Sequence, residues 1–264
     1  MEIQFPNKYS LDELNNQFLW RYIGLHKLID LVINNKLYFT RLDHFEDGLE
    51  GITGEGTQLK FFINEEPLTY ENINDFDEKT QAELIEQDKN TRQNYLDTLA
   101  ESQQAQFASC WFLGNKESIA MWKLYSQKDG VAIKFKARQL ADSIIKTAES
   151  YTNSDFQILL YGPVEYKNIW PFDLYETFDN KFNALKKDKS YAHENEFRFI
   201  VVVPNDKRGL HQNFILPIGE LSYYDIEIVT NPFMEKWEVE NLKKLLEKFG
   251  LEKALTSSKM DIKH

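Results

Sequence analysis

The chain has one cysteine, Cys110, in 264 residues. That excludes an intrachain disulfide and a zinc site built on cysteine pairs. The five histidines are scattered and show no His-Glu-x-x-His or comparable ligand spacing, so no metal is expected. No apolar run approaches the length that spans a bilayer. The opening MEIQFPNKYS has neither the basic head nor the apolar stretch of a secretory signal. A soluble, cytoplasmic protein without membrane association is therefore expected. Positive charge is also scarce: 31 Lys and Arg stand against 42 Asp and Glu, a formal net charge of −11. Tight non-specific binding to a nucleic-acid backbone needs a basic face, and this balance argues against one while leaving a local basic groove open. The 11 glycines form neither a Walker loop nor a dinucleotide fingerprint.

What the chain does have is aromatic area. Its 19 Phe, 13 Tyr and 5 Trp compensate for a hydrophobic content of only 42% and supply enough surface for a substantial core. The length suits one large domain or two small ones. No repeat, linker or low-complexity tract divides it. The reading is a single α+β domain over 1–264, with a mixed or split β-sheet, flanking helices and a helical arm inserted at about 76–105.

In order, 17–23 reads as a strand, 25–35 as a helix with Leu25, Leu28, Ile29, Val32 and Ile33 on one face, and 37–40 as a strand. The glycine-rich, acidic stretch 41–58 reads as a solvated loop; it lacks the ligand spacing of an EF-hand. The polar stretch 78–104 predicts one or two surface helices. FASCWF (107–112) is a strand. Ser118 caps a short helix, SIAMWKLY. A strand at 130–135 precedes a helix at 137–148. A strand at 157–166 is broken at Gly162-Pro163, and an amphipathic helix is predicted over 172–187. Short strands follow at 214–217 and 226–229. A helix at 235–249, capped by Gly250, and a strand at 254–256 close the chain as a β–α–β unit of scaffold character.

One stretch organises the rest. SYAHENEFRFIVVV, 190–203, contains a β-branched and aromatic run of the kind found in buried strands. Glu194 and Glu196 stand at its mouth, two residues apart, and in extended chain such a pair shares one face of a sheet. Carboxylates at the entrance of a buried strand cost desolvation and need a reason to be there. The reason is either chemistry or an ion pair with Arg198 or another arginine that closes the end of the sheet.

Four segments carry a resemblance: LWRYIGLHKLIDLVINNKLYFTRLDHFEDGLEG, SCWFLGNKESIAMWKLYSQKDGVAIKF, KSYAHENEFRFI and IVTNPFMEKWEVENLKKLL. In this order they resemble the bacterial domain-of-unknown-function 2971 family. Members of that family tend to carry Asn-Asp-Pro where this chain has Glu46-Asp47-Gly48. More distantly, the chain is similar to ADP-ribosyltransferases. Those enzymes have an Arg or His on an early strand followed by a helix, a central Ser-bearing strand, and a Glu, often Glu-x-Glu, entering a late strand. The matching positions are Arg21, Ser109 and Glu194-x-Glu196.

That second resemblance implies NAD as substrate and either ADP-ribosyl transfer or NAD hydrolysis, in a toxin or phage-defence effector. It also implies a protein or nucleic-acid acceptor and a cognate antitoxin as partners. Arg21 would pair with a phosphate, Ser109 would hold a ribose or brace the glutamate, and Trp111, Trp122 or Tyr125 would stack on nicotinamide beside Tyr22. Glu196 would stabilise the oxocarbenium-like centre and Glu194 would orient or deprotonate the acceptor. The helical spacing of Met121, Trp122 and Tyr125 equally fits packing in the core. Two other readings stand beside this one. A non-enzymatic protein- or nucleotide-binding module would have both glutamates neutralised and no open cleft there. A metal-dependent nuclease would use Asp43, Asp47, Glu194 and Glu196.

Overall fold

The structure, a computed structural model, describes residues 2–5, 9–52, 56–57, 60, 75–169, 176–177, 179 and 182–260. Its main feature is a forked ten-stranded sheet. Strand β9 (Glu196–Val202) runs antiparallel between β4 (Gln106–Leu113) and β6 (Ile158–Pro163). β1 (Glu2–Gln4) adds a parallel strand beside β6. Beyond β4 the sheet divides. Phe107 and Ala108 of β4 pair with β3 (Lys36–Arg41), whereas Phe112 and Leu113 pair with β2 (Phe18–Ile23). Among the described residues, Ser109, Cys110 and Trp111 have no strand partner on that edge. The β3 branch ends with β10 (Asn213–Pro217). The β2 branch continues through β5 (Val131–Lys136) and β11 (Ile226–Thr230) to β12 (Leu255–Ser257).

The fork follows from connectivity. β2 and β3 both run antiparallel to β4, so they are parallel to each other, and parallel strands need a crossover. Helix α1 (Leu25–Asn34) supplies it. Asn35 ends the helix in the left-handed conformation, φ 51° and ψ 43°, with its N–H on the Leu31 carbonyl; asparagine tolerates that geometry better than most residues. The buried face of α1 is Leu28, Leu31 and Val32, and Ile33, expected on it, is 56% exposed.

Alternation sorts β9 into two sets. Phe197, Phe199 and Val201 enter the main core with Leu19, Ile23, Phe39, Phe107 and Trp111. Glu196, Arg198 and Ile200 take the other face, where Ile200 packs with Leu42, Ala108, Leu160 and Leu185. Both faces are covered, which is why the strand reads as one apolar run rather than as polar alternation.

Around the sheet, the arm is a single helix, α2 (Glu78–Gln104), capped by Asp77 on the Thr80 N–H. Its covered positions, Leu84, Asp88, Arg92, Leu96, Leu99 and Gln103, recur every three or four residues along one stripe. α3 (Ile119–Tyr125) begins at the Ser118 cap, as its sequence predicts. α4 (Ala137–Ala148) packs Leu140, Ala141 and Ile144 into the core. α5 (Lys236–Glu247) joins β11 to the parallel β12, the expected β–α–β closure. None of the described helices is long and apolar enough to cross a membrane.

Three expectations need correction. The stretch 157–166 forms β6 and a separate strand, β7 (Glu165–Lys167), that leaves for a different sheet. β7 pairs with β8 (Lys186–Asp188), where the predicted helix 172–187 should have ended. Residues 172–175, 178 and 180–181 of that predicted helix lie outside the described residues. The run of charge there alternates with period two: Lys187 turns inward while Lys186 and Asp188 stay at the rim. Finally, 41–58 is not simply a solvated loop. Its residues 53–55 and 58 lie outside the described set, but Glu50 is 1% exposed.

The turn that buries Glu50 depends on Gly51, which has φ +76°. A Cβ there would meet Leu42 Cδ1 at 2.5 Å, and the neighbouring Glu50 carbonyl accepts from Gln103 Nε2 of α2 at 2.7 Å. Gly219 has φ +77° with open space around it, so it isolates the cost of the backbone conformation. Gly51→Ala is expected to lower stability by about 1–3 kcal/mol and Gly219→Ala by about 1 kcal/mol, read from urea midpoints.

Candidate functional site

The site is built on a guanidinium removed from water. Arg198 is 0% exposed, on the β9 face opposite the main core. Burying it requires hydrogen bonds and counter-charge. Its Nη1 and Nη2 donate to Glu50 Oε2 and Oε1 at 2.6 and 2.9 Å, a bidentate pair. Its Nε donates to Glu196 Oε2 at 2.6 Å, and Nη1 also reaches the Ala184 carbonyl at 2.9 Å. Lys187 is the second cation. Its Nζ lies 2.5 Å from Glu194 Oε2, 3.1 Å from Glu196 Oε1 and 3.1 Å from Glu50 Oε1, with the Tyr191 ring 4.3 Å away. Three carboxylates thus face two cations, leaving one net negative charge when all are ionised.

Glu194 and Glu196 differ in environment. Burial alone would raise the Glu196 carboxyl, but the charge and hydrogen bond of Arg198, with Glu194 and Lys187 adding to them, hold it well below the usual carboxylate range. Burial raises Glu194, its neighbour Glu196 raises it further, and Lys187 and Tyr125 only partly offset this. The Tyr125 hydroxyl donates to Glu194 Oε1 at 2.6 Å. Two carboxyls at one site are therefore pushed apart: one is firmly ionised and the other takes up a proton more readily. The Glu-x-Glu spacing does not act through extended chain. Glu194 ends a short 3-10 helix and Asn195 is left-handed, at φ 38° and ψ 55°. The two carboxylates still converge, because Lys187 binds both.

A cleft of about 340 Å³ opens beside this network, at the fork. Its lining includes Glu50, Glu194, Glu196, Lys187, Tyr125 and Cys110, together with Arg21, Tyr22 and Trp111. Arg21 bridges the divided strands: Nη1 donates to Ser109 Oγ on β4 at 3.0 Å, and Nη2 to the Tyr38 carbonyl on β3 at 3.4 Å. Its guanidinium carbon lies 5.2 Å from the centre of the Trp111 ring. No carboxylate among the described residues pairs with it, and burial lowers its pKa from the ordinary value. Cys110 is no candidate nucleophile, since burial first and Glu196 second hold its thiol far above the normal range.

The structure brings Arg21, Tyr22, Trp111, Tyr125, Glu194 and Glu196 to one cleft. Ser109 lies beneath it, 0% exposed, and its Oγ accepts from two groups of the lining, Arg21 Nη1 at 3.0 Å and Trp111 Nε1 at 3.1 Å. Trp122 does not reach it: the indole is 2% exposed among Trp20, Tyr22, Met121 and Val229, and donates to Glu117. Asp43 is turned away, chelated by Arg41 at 2.6 and 3.0 Å. Among the described residues, no three His, Cys, Asp or Glu side chains are placed to hold a metal ion. Glu50 and Lys187 were missed. The signal for Lys187 was arithmetic: two buried glutamates with only Arg198 at hand call for another cation. Glu50 carried no such signal, since it follows Glu46 and Asp47 in the acidic, glycine-rich stretch.

Removing Lys187 leaves buried carboxylates uncompensated. Lys187→Ala is expected to cost about 3–5 kcal/mol near neutral pH. The wild-type pH dependence has two signs. Glu194 has a raised folded pKa, so its contribution improves as pH falls through that value. Glu196 has a depressed one, so its contribution is present above the ordinary carboxylate range and lost as pH falls through the folded value. Urea midpoints between about pH 3 and 8 should show Glu194→Gln removing the first effect and Glu196→Gln the second.

Comparison with known proteins bears on the family resemblance alone. The model of a protein family of unknown function (DUF2971) matches residues 121–199, from within α3 into β9. That stretch holds Tyr125, Lys187, Glu194, Glu196 and Arg198, while Arg21, Glu50, Ser109 and Trp111 lie before it. No curated protein and no solved structure matches the chain. Over 121–199, then, the chain is similar to the DUF2971 family, whose description states no activity.

Proposed function

We propose that the cleft binds a nucleotide with a cationic leaving group, NAD⁺ in the first instance, and that the protein transfers or hydrolyses its ADP-ribosyl group. One observation carries the reading. A single cleft holds an arginine with no carboxylate partner among the described residues and, one strand away across β4, three carboxylates facing two cations. The volume lies within the roughly 300–1,000 Å³ of small-molecule sites.

In this reading Arg21 pairs with a phosphate, and its unused N–H donors suit bidentate contact. Tyr22 and Tyr125 offer aromatic surface to the ring systems, while Trp111, 1% exposed, acts only through its contact with the Arg21 guanidinium. The N-glycosidic bond breaks and its electron pair leaves with nicotinamide, while the anomeric carbon takes on oxocarbenium character. The net negative charge of the buried network stabilises that developing positive charge. The roles of the glutamates differ from the sequence expectation. Glu196 is engaged by Arg198 and Lys187, so it acts as fixed charge rather than as a partner for a ribose hydroxyl. Glu194 also meets Lys187 but has Tyr125 in place of Arg198 as its second donor, and with its raised pKa it is the group suited to take the proton of the attacking water or acceptor hydroxyl.

A second reading has an observation of its own. Both glutamates are ion-paired from within the chain, as expected of a non-enzymatic nucleotide-binding module, although the open cleft beside them departs from that expectation. Nicotinamide release from NAD⁺ decides between the two, measured with and without cell lysate to supply an acceptor. Transfer or hydrolysis requires release by the wild type and a fall of about 10²–10⁴-fold in Glu194→Gln. Arg21→Met should mainly raise KM. NAD⁺ binding by calorimetry with no release under either condition would favour the binding module.

A further inference from the structure

A second cavity, of about 410 Å³, adjoins the cleft and shares Arg21, Ile23, Lys27 and Thr40 with it. The two cavities have opposite electrostatic character. The cleft is dominated by the Glu50, Glu194 and Glu196 carboxylates. The second cavity is lined by Arg21, Lys27 and Lys36, with His26 at the rim and Asp30 as its one carboxylate. Asp30 is already occupied: it accepts from Asn34 Nδ2 at 2.6 Å and raises the Tyr38 hydroxyl through a hydrogen bond. Lys27 and Lys36 form no ion pair among the described residues. In a chain of net charge −11, three cations around a concavity with one engaged acid stand apart from the rest of the composition.

The backbone adds to this field. The cavity takes in Ile23, His26 and Lys27, which flank the N-terminus of α1. The N-cap is Gly24, which has no side chain to satisfy the first-turn N–H groups, and that turn carries no acidic residue. The Lys27 N–H reaches the Gly24 carbonyl at 3.1 Å, and the N–H groups ahead of it, with the helix dipole, favour an anion at this end. Thr40 and Asn213, opposite each other in the β3–β10 register, supply neutral polar side chains on the far wall. Arg21 sits where the two cavities join, so an anion on it can be continuous with a ligand in both.

We infer that this second lobe is an anion subsite that takes the phosphate groups of the ligand, held by Lys27, Lys36 and the first turn of α1, while its ring-bearing end occupies the acidic cleft. The assignment rests on the reading of the cleft as a nucleotide site. It divides that site into a phosphate lobe and a reacting lobe, joined at Arg21.

The test is calorimetric titration of the full chain with adenosine, AMP, ADP and inorganic pyrophosphate, beside a Lys27→Ala/Lys36→Ala double variant. Both lysines are exposed, so the variant should keep the fold. Affinity should rise from adenosine through AMP to ADP. The double variant should weaken ADP at least tenfold and leave adenosine unchanged. Pyrophosphate binding that is lost in the variant would show that the lobe recognises the phosphates by themselves. ADP binding no tighter than adenosine, or equal ADP affinity in variant and wild type, would overturn the assignment. The two readings fail separately. Lysine-dependent ADP binding without nicotinamide release keeps the phosphate lobe and removes the transferase. Nicotinamide release with an unchanged KM in the double variant does the reverse.

Discussion

Arg198 is the constraint on which the rest of the site depends. A guanidinium with no exposure, on the most extensively paired strand of the sheet, must find its counter-charge inside the protein. That need draws in Glu50 from the turn after β3 and Glu196 from its own strand. Three carboxylates in one place then require Lys187 from β8. The helical arm contributes at one point, where Gln103 holds the Glu50 carbonyl. Segments distant in sequence are thereby tied to one buried charge, and the small β7–β8 sheet owes its place beside the main sheet to the same bond set.

The fork supplies the space. Had β2 and β3 both paired along all of β4, the edge at Ser109, Cys110 and Trp111 would be sealed and the charged network enclosed. The α1 crossover brings in two parallel strands, and each takes only one end of β4. The gap leaves backbone and side-chain groups in need of partners, and Arg21 bridges it through Ser109 and the Tyr38 carbonyl. Its charge is held by neutral acceptors and an aromatic face rather than by a carboxylate, so a capacity for an anion remains. The cleft, its cationic junction and its acidic wall therefore share one topological cause.

Electrostatic asymmetry links fold to chemistry. The same burial acts on Glu194 and Glu196 with opposite outcomes, because of these two only Glu196 meets Arg198, while Glu194 faces a tyrosine and shares a lysine. A paired motif in sequence thus becomes one fixed charge and one proton-handling group.

The amino-acid sequence indicated the α+β class, the run at 197–203 as a buried strand, the Ser118 cap and the closing β–α–β unit. These are local signals: periodicity, capping chemistry and β-branched content act within a few residues. It also marked Glu194 and Glu196 as residues that needed an explanation. Tertiary structure alone decided what that explanation is. Lys187 sits in a charged run that looks solvated, and Glu50 in a glycine-rich acidic loop. Lys187 meets Glu194 and Glu196 seven and nine residues on, at a spacing that no helix or strand pattern marks, and Glu50 lies 148 residues from Arg198. Trp122 shows the converse, since helical spacing fits a cleft or a core equally and only the neighbouring strands place it in the core. Ion pairs between distant segments leave no periodic trace, because Coulomb attraction and hydrogen-bond geometry act through space and are indifferent to the spacing that sequence patterns record.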